Sequence, residues 1–427
     1  MNEDSYSISG VSCTELASKV GTPIFIYDEE KIETRIREYK QHFVSPCFET
    51  KILYASKAFL CGALVKLLNK EGLCLDVVSG GELYCARAND FPAKNIFFHG
   101  NNKSDEEIAL ALEFQVGGII LDSEMECSRV LELSKALKRN IDVMIRINPG
   151  IEAHTHKYIM TADSDSKFGV SINDFDKVVN MIQKIQNSGH ATFKGFHAHI
   201  GSQIFELSAF KTEIEVLMDY IEKVETTVGI PVEALDLGGG FAAYYTEEDQ
   251  PIPTEKVCHA IIDNCESEVM RRKLHLKTLM IEPGRSIVAE AGYTLYRAGF
   301  LKNTANKSYV FVDGGMSDNI RPALYQAKYN CENISRQGEP RTHKMCVAGK
   351  CCESGDILIE EIMMPETKTG DLILMYTTGA YGYSMASNYN KIGRPPVVFA
   401  NKGKARLVVK RESYEDLIAM DCDKKVL

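Results

Sequence analysis

The sequence predicts an α/β protein built from a (β/α)8 TIM-like barrel and a second, mostly antiparallel β domain. The chain has 427 residues, which is long for a single hydrophobic core, so a larger and a smaller domain are expected. Between residues 29 and 285, short apolar runs rich in β-branched residues alternate with stretches of helical periodicity. From residue 286 on, short alternating runs follow one another between Gly, Asp and Asn, which predicts an antiparallel sheet or sandwich.

The number of predicted strands between residues 29 and 285 determines how many strands the barrel is expected to have. Each interval between them has room for a helix, as in residues 104–114 and 123–137. Strand–helix alternation of this kind, repeated over about 250 residues, is typical of a (β/α)8 barrel. The eight predicted strands are residues 52–56, 74–78, 95–98, 118–121, 141–147, 193–199, 234–237 and 278–281.

The second domain is predicted from both ends of the chain. An apolar segment, residues 23–27, precedes the barrel, and a helix is expected to begin at residues 28–30. We therefore assign residues 29–285 to the barrel and residues 1–28 together with 286–427 to the β domain. Its later strands are predicted at residues 309–312, 357–359, 372–376 and 406–409.

Composition and charge narrow the range of functions. The content of hydrophobic residues is 44% and that of charged residues 25%, which is ordinary for a soluble globular protein. A net charge of -10 argues against nucleic acid or an anionic membrane as the main partner. The thirteen cysteines include no CxxC pair, so free thiols in a reducing cytoplasm are expected and a metal site is not. The sequence contains neither a signal pattern nor an apolar run long enough to span a membrane.

The first predicted barrel strand leads into a single lysine, Lys57. A lysine at the tip of a buried strand usually has a charged partner or a chemical role. The alternative is a surface lysine whose aliphatic stem covers the end of the strand.

Polar residues also follow the other predicted strands. Catalytic groups of such barrels lie at the carboxyl ends of the strands. A single histidine there could be a hydrogen-bonded core residue, but the coincidence at so many tips favours a shared pocket. The residues are Lys57, Asp76, Glu82, His99, Arg146, Asn148, His197, His199, Asp236, Glu282 and Arg285.

Three glycines, Gly238, Gly239 and Gly240, follow the seventh strand. Their backbone N–H groups can approach an anion closely, and the loops after strands seven and eight are a frequent phosphate site on this fold. Alone, such a run is more often a tight turn. Together with Ser202 and Arg285 it predicts a phosphate cup. A lysine able to form a Schiff base beside a phosphate cup implies pyridoxal 5'-phosphate.

The chain resembles the fold type III (alanine-racemase-like) pyridoxal-phosphate decarboxylases, and within them the diaminopimelate decarboxylases. The resemblance extends over nearly the whole chain. The motifs that carry it are YASK at residues 54–57, DVVSGGEL at 76–83, HIGSQ at 199–203, LGGGF at 237–241, EPGR at 282–285, RPALY at 321–325, CESGD at 352–356 and GAY at 379–381.

The resemblance implies roles for the cofactor-binding residues. Lys57 would carry the cofactor, His199 would stack on its ring, and Glu282 would face the pyridine nitrogen. A carboxylate about 4 Å from a cation contributes roughly 4 kcal/mol at an effective dielectric near 20, or about three pKa units, which would keep that nitrogen protonated. Asp76 and Glu82 would orient Lys57. The remaining cofactor-binding residues are Ser202, Gly238, Gly239, Gly240, Gly284, Arg285 and Tyr381.

The resemblance also implies that Cys352 protonates the carbanion left by decarboxylation and comes from the neighbouring subunit of a homodimer. A thiol near its reference pKa is mostly protonated at pH 7 and can donate. The alternative role is that of a small buried apolar residue, but the adjacent Glu353 favours the catalytic role. The β domain would then supply substrate-binding and dimer-interface residues.

Substrate specificity is expected to depend on the distal end of the substrate. Arg285, Arg321 and Tyr325 offer donors that match a second carboxylate, and Glu353 matches a second ammonium. Tyr381 is a further substrate-binding candidate. Arg321 could instead be a surface arginine ahead of a turn proline.

The expected reaction is decarboxylation of meso-2,6-diaminopimelate to L-lysine and CO2, the last step of lysine biosynthesis. The first alternative is a related decarboxylase acting on carboxynorspermidine, ornithine or arginine, which would not need Arg321. The second is a barrel retained for binding or regulation, which we would expect to have lost Lys57 or the Cys352–Glu353 pair. Residues 154–169 are too long for a simple strand–helix turn and are expected to form a mobile lid or an inert surface excursion.

Overall fold

The computed structural model describes residues 6–151 and 166–422 of the protein. The chain forms two compact units. One contains Arg35–Ala242 and Gln250–Ser286, and the other contains Met1–Thr34, Ala243–Asp249 and Ile287–Leu427.

The first unit is a closed barrel of parallel strands. Each strand pairs with the next one along the chain, and the last pairs with the first, with Ile281 opposite Ile52. All eight predicted strands are present, so the predicted barrel is confirmed. The strands are Glu49–Ala55, Cys74–Val77, Ile96–Phe98, Gly118–Leu121, Ile141–Asn148, Ala191–His197, Ala234–Asp236 and Thr278–Ile281. A short strand, Val170–Ser171, pairs parallel with the last two residues of the fifth strand, Ile147 and Asn148.

Helices precede, connect and follow the barrel strands. The two helices that the sequence predicted from residues 104 and 123 begin one residue later, because Ser104 and Ser123 cap them through their side-chain oxygens. Glu107 completes a capping box with Ser104. The helices are Glu29–His42, Gly62–Glu71, Gly80–Ala88, Asp105–Phe114, Glu124–Leu137, Phe175–Ser188, Leu207–Val228, Thr254–Arg272 and Arg285–Val288, with 3-10 turns at Ser56–Ala58 and Ala93–Asn95.

The second unit is built on a mixed, mostly antiparallel sheet. Its longest strand, Gly292–Asn303, pairs antiparallel with Ile24–Asp28, Ser308–Val312 and Leu372–Met375. The N-terminal strand Ile24–Asp28 therefore joins this sheet, as the sequence predicted. The other strands are Ser7–Ile8, Val11–Ser12, Cys331–Asn333, His343–Ala348, Ile357–Met364, Val397–Asn401 and Lys404–Val409.

Two strand pairs of this unit run parallel: Ile24–Asp28 with Val397–Asn401, and Ser308–Val312 with His343–Ala348. An apolar cluster that includes Ile26, Leu295, Leu374 and Val398 fills its core. The helices are Cys13–Val20, Arg321–Tyr325 and Tyr414–Ile418, with 3-10 turns at Ile334–Arg336, Tyr383–Met385 and Tyr389–Lys391.

The thirteen cysteines are all free thiols. Among the residues given above as described, no helix has the length and apolar character needed to cross a membrane.

Candidate active site

Lys57 lies in the turn Ser56–Ala58, directly after the first barrel strand. Its ammonium nitrogen is 3.9 Å from Oδ2 of Asp76, at the tip of the second strand. The Lys57 side chain is 43% exposed and that of Asp76 only 1%. The amine therefore reaches the open end of the barrel while a buried carboxylate stays beside it.

The carboxyl groups near Lys57 are perturbed by burial. Burial raises the pKa of Asp76, and the nearby charge of Glu282 raises it further. Burial also raises the pKa of Glu82 to about 7. One Glu82 oxygen accepts the Val78 N–H at 2.7 Å, which fixes this side chain at the start of its helix.

His199 follows the sixth strand and contacts the glycine loop. Its Nδ1 accepts the N–H of Gly239 at 3.2 Å, so the ring hydrogen of a neutral His199 is on Nε2. Burial, followed by the charge of Lys57, lowers the pKa of His199 well below its usual value. A neutral imidazole with a fixed orientation can stack against a planar ring.

The glycine loop requires glycine for steric reasons. A Cβ on Gly239 would lie 2.5 Å from the carbonyl oxygen of Glu282, and one on Gly240 would lie 2.6 Å from that of Gly201. Gly238 has a φ of 65°, in the left-handed region that favours glycine. Any side chain here would clash with backbone, so glycine is required at these positions.

The donors of the predicted phosphate cup are partly used within the protein. Gly238 N–H donates to Asp236 at 2.9 Å, and Gly239 N–H donates to His199. The Gly240 N–H has no acceptor in the described part of the chain. Arg285 Nη2 donates to the Ser202 hydroxyl at 3.0 Å, so a guanidinium and a hydroxyl lie together near this loop.

Glu282 is 5% exposed and follows the eighth strand. His99 Nε2 lies 3.0 Å from its Oε1, and His197 Nε2 lies 3.4 Å from its Oε2. Both histidines were predicted to lie at strand tips, but no motif in the sequence assigned a role to either. Gly284 follows at once, and a Cβ on it would come within 2.8 Å of the Cβ of Ala55. The eighth strand therefore packs closely against the end of the first.

The barrel mouth fits pyridoxal phosphate. It offers an amine for the aldehyde, a buried carboxylate for the ring nitrogen, a neutral imidazole, and a glycine loop into which no side chain would fit. Lys57, Glu282, His199 and Gly240 supply these features, and they lie in the same unit.

In the second unit, Arg321 begins the short helix Arg321–Tyr325 and is 9% exposed. Its Nε donates to the Tyr329 hydroxyl at 2.9 Å. Its guanidinium carbon lies 5.5 to 6.0 Å from the ring centres of Tyr245, Tyr325 and Tyr381. Within the described residues, no carboxylate oxygen lies within 4.0 Å of Arg321. No sequence motif pointed to Tyr245 or Tyr329.

Cys352 and Glu353 lie on an exposed loop of the second unit. Buried Asp356 organises this loop, because its carboxylate accepts the N–H groups of Met316 at 2.6 Å and Cys351 at 2.7 Å. The Cys352 N–H donates to the side chain of Asn390 at 2.8 Å. The thiol is therefore presented on a loop held in shape by internal hydrogen bonds.

The predicted lid, residues 154–169, lies mostly outside the described residues. Gly169, at its end, donates its N–H to Asp122 at 3.0 Å, and the strand Val170–Ser171 follows. The lid itself stays a prediction.

Comparison with known proteins gives concordant results. Residues 29–289 match the family described as "Pyridoxal-dependent decarboxylase, pyridoxal binding domain". The diaminopimelate decarboxylase of Bacillus subtilis (strain 168) is 47% identical over 415 residues, which cover 97% of this chain and 94% of that protein. The Staphylococcus aureus (strain COL) protein of the same name is 43% identical over 417 residues, 97% of each chain.

A solved structure agrees with these matches. The diaminopimelate decarboxylase of M. jannaschii, crystallised in complex with L-lysine, superposes with a TM-score of 0.93 at 34% identity, covering 99% of this chain and 97% of that one. Because the family match spans the barrel and the relatives span nearly the full length, the chain belongs to the diaminopimelate decarboxylase family of pyridoxal-phosphate-dependent enzymes.

Proposed function

We propose that the protein decarboxylates meso-2,6-diaminopimelate to L-lysine and CO2, the last step of lysine biosynthesis. The observation that carries this choice of substrate is Arg321, a buried guanidinium with no carboxylate partner among the described residues. Burying a charge without a partner is costly. A second substrate carboxylate would satisfy it bidentately, whereas ornithine, arginine and carboxynorspermidine carry no such distal group.

The cofactor is held by residues of the barrel, in the part of the chain that we assign to residues 29–285. Lys57 would bind its aldehyde, Glu282 would face its ring nitrogen, and His199 would cover the ring. The N–H of Gly240, with Gly238, Gly239, Ser202 and Arg285, would bind its phosphate. Bound there, pyridoxal phosphate supplies an electron sink for the electron pair left at Cα when CO2 departs.

The substrate-binding roles belong to residues of the β domain, together with Arg285. Arg321 and Tyr325 would bind the distal carboxylate, and Glu353 would bind the distal ammonium. Tyr381 lies with Tyr325 around Arg321 in the same unit, which supports a shared role. Holding the far end of the substrate would orient the bond that is to be broken.

Cys352 would donate the proton that replaces CO2 at Cα. Its thiol and the neighbouring Glu353 are exposed on their own subunit, although the loop beneath them is held by a buried carboxylate. That combination supports a homodimer in which a second copy covers the loop and the active sites are shared. The free thiols throughout the chain are consistent with a cytoplasmic protein.

The test is CO2 release from a substrate panel by the purified, cofactor-loaded protein. We expect turnover of meso-2,6-diaminopimelate to exceed that of ornithine, arginine and carboxynorspermidine by at least about a hundredfold in kcat/KM, since a lost charged contact costs that much. Faster turnover of any of the other three would overturn the proposed substrate.

A further inference from the structure

Glu282 is held between two buried histidines that belong to different strands. His99 follows the third strand and His197 ends the sixth. Their rings meet edge to face, with centroids 4.9 Å apart. The Nε2 atom of each lies near a different oxygen of the Glu282 carboxylate, at 3.0 Å for His99 and 3.4 Å for His197.

We propose that His99 and His197 are positioning residues that donate from neutral imidazoles to Glu282 and so keep its carboxylate ionised and in one orientation. The inference rests on the proposed function, because it concerns the acid that faces the cofactor ring. His99 and His197 thereby join the residues of the site, and both are assigned as neutral imidazoles.

His99 Nε2 lies closer to Glu282 than to the other buried carboxylate near it, Asp76, whose Oδ1 is 3.8 Å away. His99 Nε2 and Glu282 Oε1 are both buried, and neither has an aligned hydrogen-bond partner among the described residues. They lie 3.0 Å apart, so a small rotation of the ring completes a bond for both atoms. In proteins without their ligand, catalytic hydrogen bonds are often poorly aligned in this way.

Both imidazoles are expected to be neutral. They are almost completely buried, and burial is the main cause that lowers the pKa of each. Two imidazolium ions in edge-to-face contact would also repel each other. The charged groups around the pair, from all the elements that surround it, are Lys57, Asp76, Lys103, Asp122, Arg146 and Asp236.

Neutral donors suit the task of Glu282 better than cations. Burial raises the pKa of Glu282, so without donors its carboxylate would tend to take up a proton and lose its charge. An imidazolium would itself neutralise Glu282, and the ring nitrogen would then lack its counter-charge. Neutral N–H donors stabilise the anion and leave that charge for the cofactor.

Two kinds of substitution distinguish the hydrogen bond donated by each histidine from the packing of its side chain. His99→Gln and His197→Gln keep an N–H donor close to the position of Nε2, whereas His99→Leu and His197→Leu keep bulk and remove the donor. His275→Leu is the matched control, since His275 is a histidine of the same unit that is 65% exposed and pairs with Glu225 instead.

The affinity of the apoenzyme for pyridoxal phosphate and the pH dependence of holoenzyme absorbance and kcat are measured for each variant. We expect the Leu variants to bind the cofactor roughly 10- to 100-fold more weakly, as for loss of a hydrogen bond to a charged group. Their kcat should fall by a similar factor and its acid limb should move to higher pH, while KM changes less than about threefold. The Gln variants should stay within about threefold of wild type.

Leu variants with wild-type cofactor affinity and pH profile would overturn the proposal, and so would Gln variants as weak as the Leu variants. A measurement on the unaltered enzyme covers the case in which a variant fails to fold. Nitrogen NMR of 15N-histidine-labelled holoenzyme should show neutral, Nε2-protonated rings for both residues at pH 7.5, and imidazolium signals would contradict it. If the wild type released no CO2 from diaminopimelate, the substrate assignment would fail, while cofactor affinity and NMR would still decide the role of the histidines.

Discussion

The barrel mouth and the cluster around Arg321 are electrostatically incomplete in opposite senses. In the barrel, the carboxyl groups of Asp76, Asp236 and Glu282 are buried near one another, and burial raises the pKa of each. In the second unit, a buried guanidinium is surrounded by tyrosines and has no carboxylate partner among the described residues. A cationic ring nitrogen would complete the first region and an anionic substrate group the second. Each region therefore contains a buried charged group for which a ligand of opposite charge would be the partner.

The largest expected effect comes from removing the amine at the barrel mouth. Lys57→Ala should lower decarboxylation by at least about a thousandfold, because no other residue is proposed to bind the aldehyde. CO2 release is the measurement, and mass spectrometry after borohydride reduction should find the cofactor adduct on Lys57 in the wild type. Lys66→Ala, on an exposed helix face, is the control. An adduct on another lysine would contradict the assignment.

The next largest effect is expected at the exposed loop of the second unit. Cys352→Ala should lower kcat for diaminopimelate by roughly 100-fold with little change in cofactor affinity, since a general acid contributes about that factor. Single-turnover and steady-state kinetics measure it. Cys47→Ala alters another exposed thiol and should behave like wild type. An unchanged kcat for Cys352→Ala would assign the proton donor elsewhere.

Arg321→Met tests whether the buried guanidinium of Arg321 binds the substrate carboxylate. It keeps an aliphatic stem and removes the charge, so kcat/KM for diaminopimelate should fall about 10- to 100-fold. The free energy of unfolding without ligand should not fall, because the buried charge has no carboxylate partner to lose. Urea unfolding and kinetics provide the two readouts. Arg341→Met, at an exposed ion pair, is the control, and a loss of stability with unchanged kinetics in Arg321→Met would indicate a purely structural arginine.

The smallest effect on catalysis is expected for a buried acid with no proposed ligand. Glu213, on the helix Leu207–Val228, is fully buried and neither carboxylate oxygen has a hydrogen-bond partner in the described structure. Burial raises its pKa well above the usual value, so the folded protein holds a proton that the unfolded chain releases above about pH 4.3. Stability should therefore fall as pH rises above that value, by at most roughly 1.4 kcal/mol per pH unit for this group.

Glu213→Gln removes the carboxyl group that keeps this proton in the folded protein. The difference in unfolding free energy between variant and wild type should shift in favour of the variant between pH 5 and pH 8, as measured by urea unfolding. Glu215→Gln, an exposed neighbour on the same helix, should show no such shift. Parallel pH curves for wild type and Glu213→Gln would mean that Glu213 is ionised in the folded protein.

The periodicity of apolar residues within short segments was enough to predict the fold. Strand and helix periodicity placed the barrel elements to within a few residues, because the forces that form a strand or helix act over a few neighbours. The position of Lys57 after the first strand followed from the same local reasoning. Its approach to Asp76 required only that neighbouring parallel strands end at the same edge.

Other parts of the site could not be predicted in this way. The sequence identified Glu282 as important through its motif but gave no sign that His99 and His197 bracket it. The need for glycine at residue 239 also comes from a carbonyl 43 positions away in the chain, that of Glu282. Such contacts depend on how a whole sheet curves and closes.

The sequence by itself determined the barrel, the mostly antiparallel second domain and the residue types that we propose for binding pyridoxal phosphate, because periodicity and motif spacing are properties of short segments. Only the tertiary structure decided which acids are buried together, which histidines face Glu282, and that Arg321 has no carboxylate partner among the described residues. The reason is physical: burial and charge proximity raise or lower each pKa, and both arise from segments far apart in the chain that meet only when the fold is complete.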